Sequence, residues 1–367
     1  MKKIILLLVL PLVISGCTII KVNKSTTPAS QSQAAAVGFY KTIDRGENWT
    51  IKSNILGIKG EAKNFAGVNV TAAVIDPTDP KTIYLGTVDR GLMYSTNSGE
   101  GWLETLTGLG VINGIAVDPE SRCTVYAVVF NKVYKTSDCS RSWKMVQLSS
   151  LEGEYYSAIA VDQQNTRQVY VGTSKGTLLI SRDAGFSWEA TKYFPSRVSQ
   201  LIVNPAKIRE IYVATVSSGV YLTADNGVTW KNLGDLEVEN SAAKSGQPNR
   251  KLKDLSGAAN YLSLVYDYSD LGSLLYSNNY GMFRLTPGNT WREISILNKP
   301  KEERILSLAI NTSNGQEIFF VTGGAFYQSK DAGVNWTVRK LPTPGIPRLL
   351  LINPTNANEL YVSFYKA

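Results

Sequence analysis

The chain has 367 residues, 43% of them hydrophobic, with 38 Lys and Arg against 30 Asp and Glu for a net charge of +8, and it contains no histidine. The missing histidine excludes Ser-His-Asp and Cys-His nucleophilic sites, histidine-ligated metals and histidine pH switches, so no metal and no other cofactor is expected. The cationic surplus lacks a dense Lys/Arg run or a nucleic-acid motif, which excludes nucleic acid and leaves anionic headgroups or polymers as possible partners.

The N-terminus is a targeting segment: Lys2 and Lys3, an apolar run over 4–14, then Ser15, Gly16 and Cys17. Eleven apolar residues are too few to span a bilayer, which needs roughly 20. The end of the run, ISGC at 14–17, resembles a bacterial lipobox. That resemblance implies a lipoprotein signal peptide over 1–16 and a lipid such as palmitate on Cys17; the alternative is an ordinary secretory signal followed by a chance cysteine. Residues 18–36 are rich in Ser, Thr, Gln, Ala and Lys and cannot form a core. Together with Cys17 they read as a flexible tether over 17–36, with an r.m.s. reach of about 25 Å. The expected location is extracytoplasmic and membrane-anchored, and in a two-membrane cell Thr18 after the cysteine would permit outer-membrane sorting.

From Val37 onward one frame recurs. TIDRGENW ends at Trp49, STNSGEGW at Trp102, TSDCSRSW at Trp143, SRDAGFSW at Trp188, TADNGVTW at Trp230, a shortened TPGNTW at Trp291, and SKDAGVNW at Trp336. Asn97 replaces the acid in the second copy and Ser140 the glycine in the third. The seven tryptophans each close a copy, at spacings of 53, 41, 45, 42, 61 and 45 residues, a period expected of propeller blades. About 25 residues before each later tryptophan an apolar run ends at Asp76, Asp118, Asp162, Asn204, Asp267 or Asn311, and Asn353 adds a seventh. Asp and Asn open turns there, and Pro77, Pro119, Pro205 and Pro354 bar the strand from continuing.

One period reads NVTAAVID, TIYLGT, GLMYST and GWLETL, four short strands rich in β-branched and aromatic residues. Such a sheet cannot bury both faces alone and must stack on its neighbours. Tyr84, Tyr126, Tyr170, Tyr212, Tyr276 and Tyr361 recur in second strands and read as packing residues. The chain starts with a third and fourth strand around Trp49 and ends with RLLLIN and ELYVSFY, a first and second strand without partners. The fold class is therefore all-β, a single seven-bladed β-propeller over 37–367 whose last blade is closed by N-terminal and C-terminal strands.

The frame S/T-x-D-x-G-x-x-W resembles the Asp-box, or BNR, repeat of sialidases, sortilin ectodomains, xyloglucanase-type glycosidases and the photosystem II assembly-factor family. The resemblance implies that each box is a turn between third and fourth strands. In those turns Asp44, Asp138, Asp183, Asp225 and Asp331, beside Trp49, Trp143, Trp188, Trp230 and Trp336, have a structural role. Function is then expected on the opposite rim, where loops converge on the central channel.

Seven residues before each turn Asp or Asn stand Asn69, Val111, Tyr155, Arg197, Asn260, Arg304 and Ile346, with Arg348 close by. Two arrangements are open: Arg197, Arg304 and Arg348, with Tyr155, converge to clamp a carboxylate or sulfate, as three arginines do in sialidases, or they are solvated loop ends pointing apart. The insertion 234–258 is either a binding arm or disordered, and its Gly, Ser, Pro and Asn content favours disorder. A glycosidase would need paired carboxylates; Asp89 is a weak catalytic candidate and, with Glu152 and Glu154, reads as a solvated turn acid. Cys123 and Cys139 fall nearly opposite each other across a turn at Asn131-Lys132, which in an exported chain suggests a disulfide. The sequence reads as a monomeric, membrane-tethered binding or assembly scaffold rather than an enzyme, whose rim engages a protein or an anionic glycan. The alternative is a sialidase-like or xyloglucanase-like glycoside hydrolase.

Overall fold

The computed structural model describes residues 37–57, 63–148, 153–239, 250–296 and 303–365. The expected signal peptide, Cys17 and tether lie outside these residues, as do Glu152 and positions 240–249 of the insertion. Seven antiparallel sheets of four core strands each form seven blades. In chain order they are blade 1 (70–105), blade 2 (112–148), blade 3 (156–193), blade 4 (198–232), blade 5 (261–294), blade 6 (307–340) and blade 7. Blade 7 joins Ile346–Asn353 and Asn356–Tyr365 to Phe39–Thr42 and Thr50–Ile51, with Phe39 opposite Ser363 and Thr42 opposite Leu360. The first strands of successive blades neighbour one another around a closed ring, blade 7 meeting blade 1.

The core lies between blades. Each of seven apolar clusters joins two consecutive blades: Tyr170, Leu178 and Ile180 of blade 3, for example, pack with Val198, Leu201 and Val213 of blade 4. Second strands such as Ile83–Thr87 and Val169–Thr173 are buried throughout, whereas the fourth strand Glu189–Tyr193 is largely exposed. The glycine of the YVGT strand has a steric reason. A Cβ on Gly172 would stand 2.3 Å from a Val198 methyl of the next blade, and one on Gly86 would meet Ile112 at 2.8 Å. The recurrent tyrosines latch blades together: Tyr126 donates to the Ala184 carbonyl at 3.0 Å and Tyr170 to the Asn226 side chain at 3.0 Å, each in the next blade's third-to-fourth-strand turn.

Those turns share one hydrogen-bond pattern. Ser181 Oγ donates to Asp183 Oδ1 at 2.8 Å and accepts from the Gly185 amide, while Asp183 accepts from the amide of Ser187 at 2.8 Å and from its hydroxyl at 2.6 Å. Donors on both carboxylate oxygens favour the charged form. They hold Asp138, Asp183 and Asp225 at about 2, led by the hydroxyl of the residue four ahead, and Asp44 at about 2, led by Thr42. The degraded copy at Trp143 keeps the same turn, with Ser140 at φ 67° where glycine usually stands. Cys139 just before it is disulfide-bonded to Cys123, their Cα atoms 3.9 Å apart. The two strands between these cysteines turn at Phe130-Asn131, one residue earlier than the sequence suggests.

The expectation of disorder in the insertion is corrected for its described parts. Glu237–Glu239 adds to blade 5 alongside Trp291, in parallel, and Arg250–Lys251 pairs with it. Leu233, Val238, Leu252 and Leu255 are buried against Trp291 and Phe283, so apolar residues scattered through a polar-looking stretch fix it to the blade edge. Asn54–Ile55 does the same for blade 1, bridging Trp102 in parallel and leaving that ring fully covered with Phe39 and Phe65 edge-on.

Candidate functional site

Strand direction puts the Asp/Asn turns and the third-to-fourth-strand turns on one rim and the loops entering each first strand on the other. On the entering side, six first strands carry a register shift that leaves one residue unpaired: Thr71, Asn113, Ser157, Ser199, Leu262 and Arg348. A bulge of this kind re-aims the extra side chain. All six, with Leu306 of blade 6, line a cavity of about 450 Å³ in the central channel. Above this ring Tyr155, Arg197, Tyr261, Ile346 and Tyr365 complete the mouth.

Three polar members of the inner ring are already engaged. Thr71 Oγ1 donates to the Ile112 carbonyl at 2.5 Å, Asn113 Nδ2 to that of Tyr156 at 3.0 Å and Ser157 Oγ to that of Val198 at 2.6 Å, each bond stepping to the next blade. What remains for a ligand is the Ser199 hydroxyl together with cationic and aromatic groups. Arg197 Nη1 donates to Tyr155 Oη at 3.2 Å, and Tyr155 stacks on the exposed Phe130 ring, 6.3 Å between centroids. Arg348 stands within electrostatic range of Arg197. The channel walls desolvate its guanidinium and lower its proton affinity; Tyr365 opposes this and the Arg197 charge adds to it. An arginine stays protonated under such a load, so the mouth holds two cations without an acid among its lining residues.

The three arginines therefore neither all converge nor all point apart. Arg197 and Arg348 meet in the channel, but Arg304 is exposed outside the lining and donates to Asn279 Oδ1 of blade 5 at 3.0 Å. Arg348 occupies the inner-ring position of its blade; Arg197 and Arg304 both stand two residues before theirs, but Arg197 is turned to Tyr155 at the mouth and Arg304 to Asn279 of blade 5. Asp89 is an exposed residue of the Thr87 to Gly91 turn and does not line the channel. Glu154 is not the solvated acid expected: it is buried and accepts from Thr177 Oγ1 at 3.2 Å. Sequence reasoning missed the inner ring, although every member lies five residues before its turn Asp or Asn.

The ring, the blade count and the closure of blade 7 define a seven-bladed β-propeller with a cationic channel mouth. No protein-family model and no curated protein matches the sequence. Solved structures do match. The GH74 xyloglucanase from Xanthomonas campestris aligns with a TM-score of 0.62 and 18% identity, over 82% of this chain and 51% of that one. The GH74 enzyme from Niastella koreensis aligns at 0.63 and 15%, over 81% and 51%. YCF48 bound to a D1 peptide aligns at 0.59 and 16%, over 82% of this chain and 93% of that one. The chain spans about half the length of the GH74 structures. At these identities the likeness is one of fold.

Proposed function

We propose that this protein is a membrane-anchored, extracytoplasmic binding and assembly scaffold built on Asp-box repeats, whose channel-mouth rim recognises a protein or an anionic ligand. The observation that carries the reading is the lining itself: two guanidiniums, three tyrosines and no carboxylate. Glycoside hydrolysis needs two carboxylates, about 5 Å apart for retention or roughly 6.5–9.5 Å for inversion. A single propeller also fits YCF48, matched over 93% of its length and solved with a D1 peptide, better than xyloglucanases of twice the span. The lipobox-like ISGC and the Cys123–Cys139 disulfide suit an exported, lipid-tethered chain. Affinity capture from membranes, comparing the mature wild-type chain with an Arg197/Arg304/Arg348→Ala variant, tests this; recovery of the same material by both would remove the arginine rim from the site. The GH74 likeness keeps glycoside hydrolysis as the second reading, and hydrolysis of glycosides lost on Asp89→Asn would establish it.

A further inference from the structure

Four apolar side chains stand exposed on the channel-mouth rim of blades 1 and 2: Val88 at 39%, Leu109 at 43%, Val111 at 36% and Phe130 at 58%. Val88 sits beside the strand entering blade 1, its amide donating to the Asn69 carbonyl, and Leu109 and Val111 lie in the loop from blade 1 to blade 2. Phe130 continues the ridge onto Tyr155, and Tyr155 onto Arg197. The ridge thus runs from apolar tips into the cationic mouth.

The first described residue, Val37, lies on this same rim. Phe39 pairs with Ser363 and the Phe364 amide donates to the Gly38 carbonyl, so Val37 lies at the Tyr365 end of the strand, and Tyr365 lines the channel. Ile346 of the channel pairs with Tyr365, which puts Val37 only two strand spacings, about 10 Å, from the cavity wall. On the opposite rim the exposed apolar tips stand beside fixed carboxylates and scattered Lys and Arg, with no pair of arginines gathered in a cavity among the described residues. These tips are Phe186, Val228 and Val334, each three residues from Asp183, Asp225 or Asp331, whose turns hold those acids ionised. What distinguishes the channel mouth is local: Arg197 and Arg348 stand together there with no acid among the lining residues, although Asp89 is exposed in the neighbouring 87–91 loop.

We propose that the channel-mouth rim docks on a bilayer surface containing anionic phospholipid, with Val88, Leu109, Val111 and Phe130 at the interface and Arg197 and Arg348 on headgroup phosphate. This rests on the tethered, anion-binding reading above and names its ligand. Guanidinium forks match phosphate oxygens, and tyrosines such as Tyr155 and Tyr365 suit the headgroup depth. A tether that joins the propeller at Val37 leaves the mouth free to reach the headgroups, and the orientation itself comes from the rim's own contacts.

The test is hydrogen exchange on the mature chain, reconstituted through its own lipid into phosphatidylcholine vesicles with and without phosphatidylglycerol. With the anionic lipid, amides of 87–91, 106–111 and 130–132 slow, while 183–187 and 225–229 do not. Arg197→Gln with Arg348→Gln lowers the membrane-contacting population roughly thirtyfold and abolishes the slowing. Equal exchange in both vesicles, or slowing at 183–187, overturns the proposal. The mass of the N-terminal peptide reports the anchor separately. If Cys17 is unmodified, the tether reading fails, and sedimentation of the added chain with phosphatidylglycerol vesicles, or its absence, decides the rim contact by itself.

Discussion

Asn204 donates its side-chain N–H to the Glu210 carboxylate at 2.6 Å, six residues downstream and buried beneath the first turn of blade 4. The pair belongs to a rule that runs round the propeller. Where the turn residue is Asn, as at 204, 311 and 353, the residue six on is Glu210, Glu317 or Glu359, and the amide donates to it. Where it is Asp, as at 76, 118, 162 and 267, the residue six on is Thr82, Thr124, Gln168 or Ser273. Every turn carries one carboxylate of this pair and never two. Asn204→Asp breaks the rule and is expected to destabilise the fold by about 3 kcal/mol at neutral pH, by burying an uncompensated charge. Two carboxyls sharing one proton have a raised folded-state pKa, so the lost stability returns as pH falls through that value. Adding Glu210→Gln restores it at neutral pH, as measured by urea denaturation.

The strand-turn aspartates make a second pH prediction with the opposite sign. Asp44, Asp138, Asp183 and Asp225 are held at about 2, below the unfolded carboxyl value near 4. Their contribution is complete above the unfolded value and is lost as pH falls through the folded one. Acid unfolding is expected to steepen between about pH 4 and 2, and Asp183→Asn to flatten the profile in that window.

Ser140 occupies a left-handed position, φ 67°, that is glycine in most copies of the turn. Ser140→Gly removes a conformational cost of about 1–2 kcal/mol, part of which the greater freedom of the unfolded chain takes back. A net gain of about 1 kcal/mol is expected by chemical denaturation.

The two fully buried tryptophans, Trp102 and Trp291, are those beside an added outer strand. Trp291→Ala, which also strips the Leu233 carbonyl of its indole donor at 2.8 Å, is expected to cost about 3–5 kcal/mol. At the half-buried Trp188 the same change is expected to cost about 1–2 kcal/mol. Equilibrium unfolding of the two variants separates these outcomes.

Non-reducing peptide mapping is expected to show the Cys123–Cys139 cross-link, and Cys139→Ser to lower stability by about 3 kcal/mol in the chain-entropy model for a loop of 16 residues.

The blade count and its closure were legible because the tryptophans and turn residues recur at every period, and because the two unpartnered ends complement each other. The spacings of 53 and 61 residues also held more than length: both mark an outer segment laid beside a tryptophan, as an added strand at Trp291 and a single bridge at Trp102. The channel mouth was only half legible. Arg348 could be placed by counting back five residues from its turn, but Arg197 and Arg304 share the position seven residues back and differ only in side-chain partner, Tyr155 for one and Asn279 for the other, which no spacing records. The insertion misled because its glycines and charges outnumber the few leucines that anchor it.

The strand Phe39–Thr42 lies between Asn356–Tyr365 and Thr50–Ile51, bonded on both edges. Tension on the chain ahead of Val37 therefore runs lengthwise along that strand. Its hydrogen bonds are loaded in shear and must yield together, whereas a pull across the ladder would open them one at a time. Under the proposed anchoring, the blade that closes the ring is also the one that takes the load from the tether.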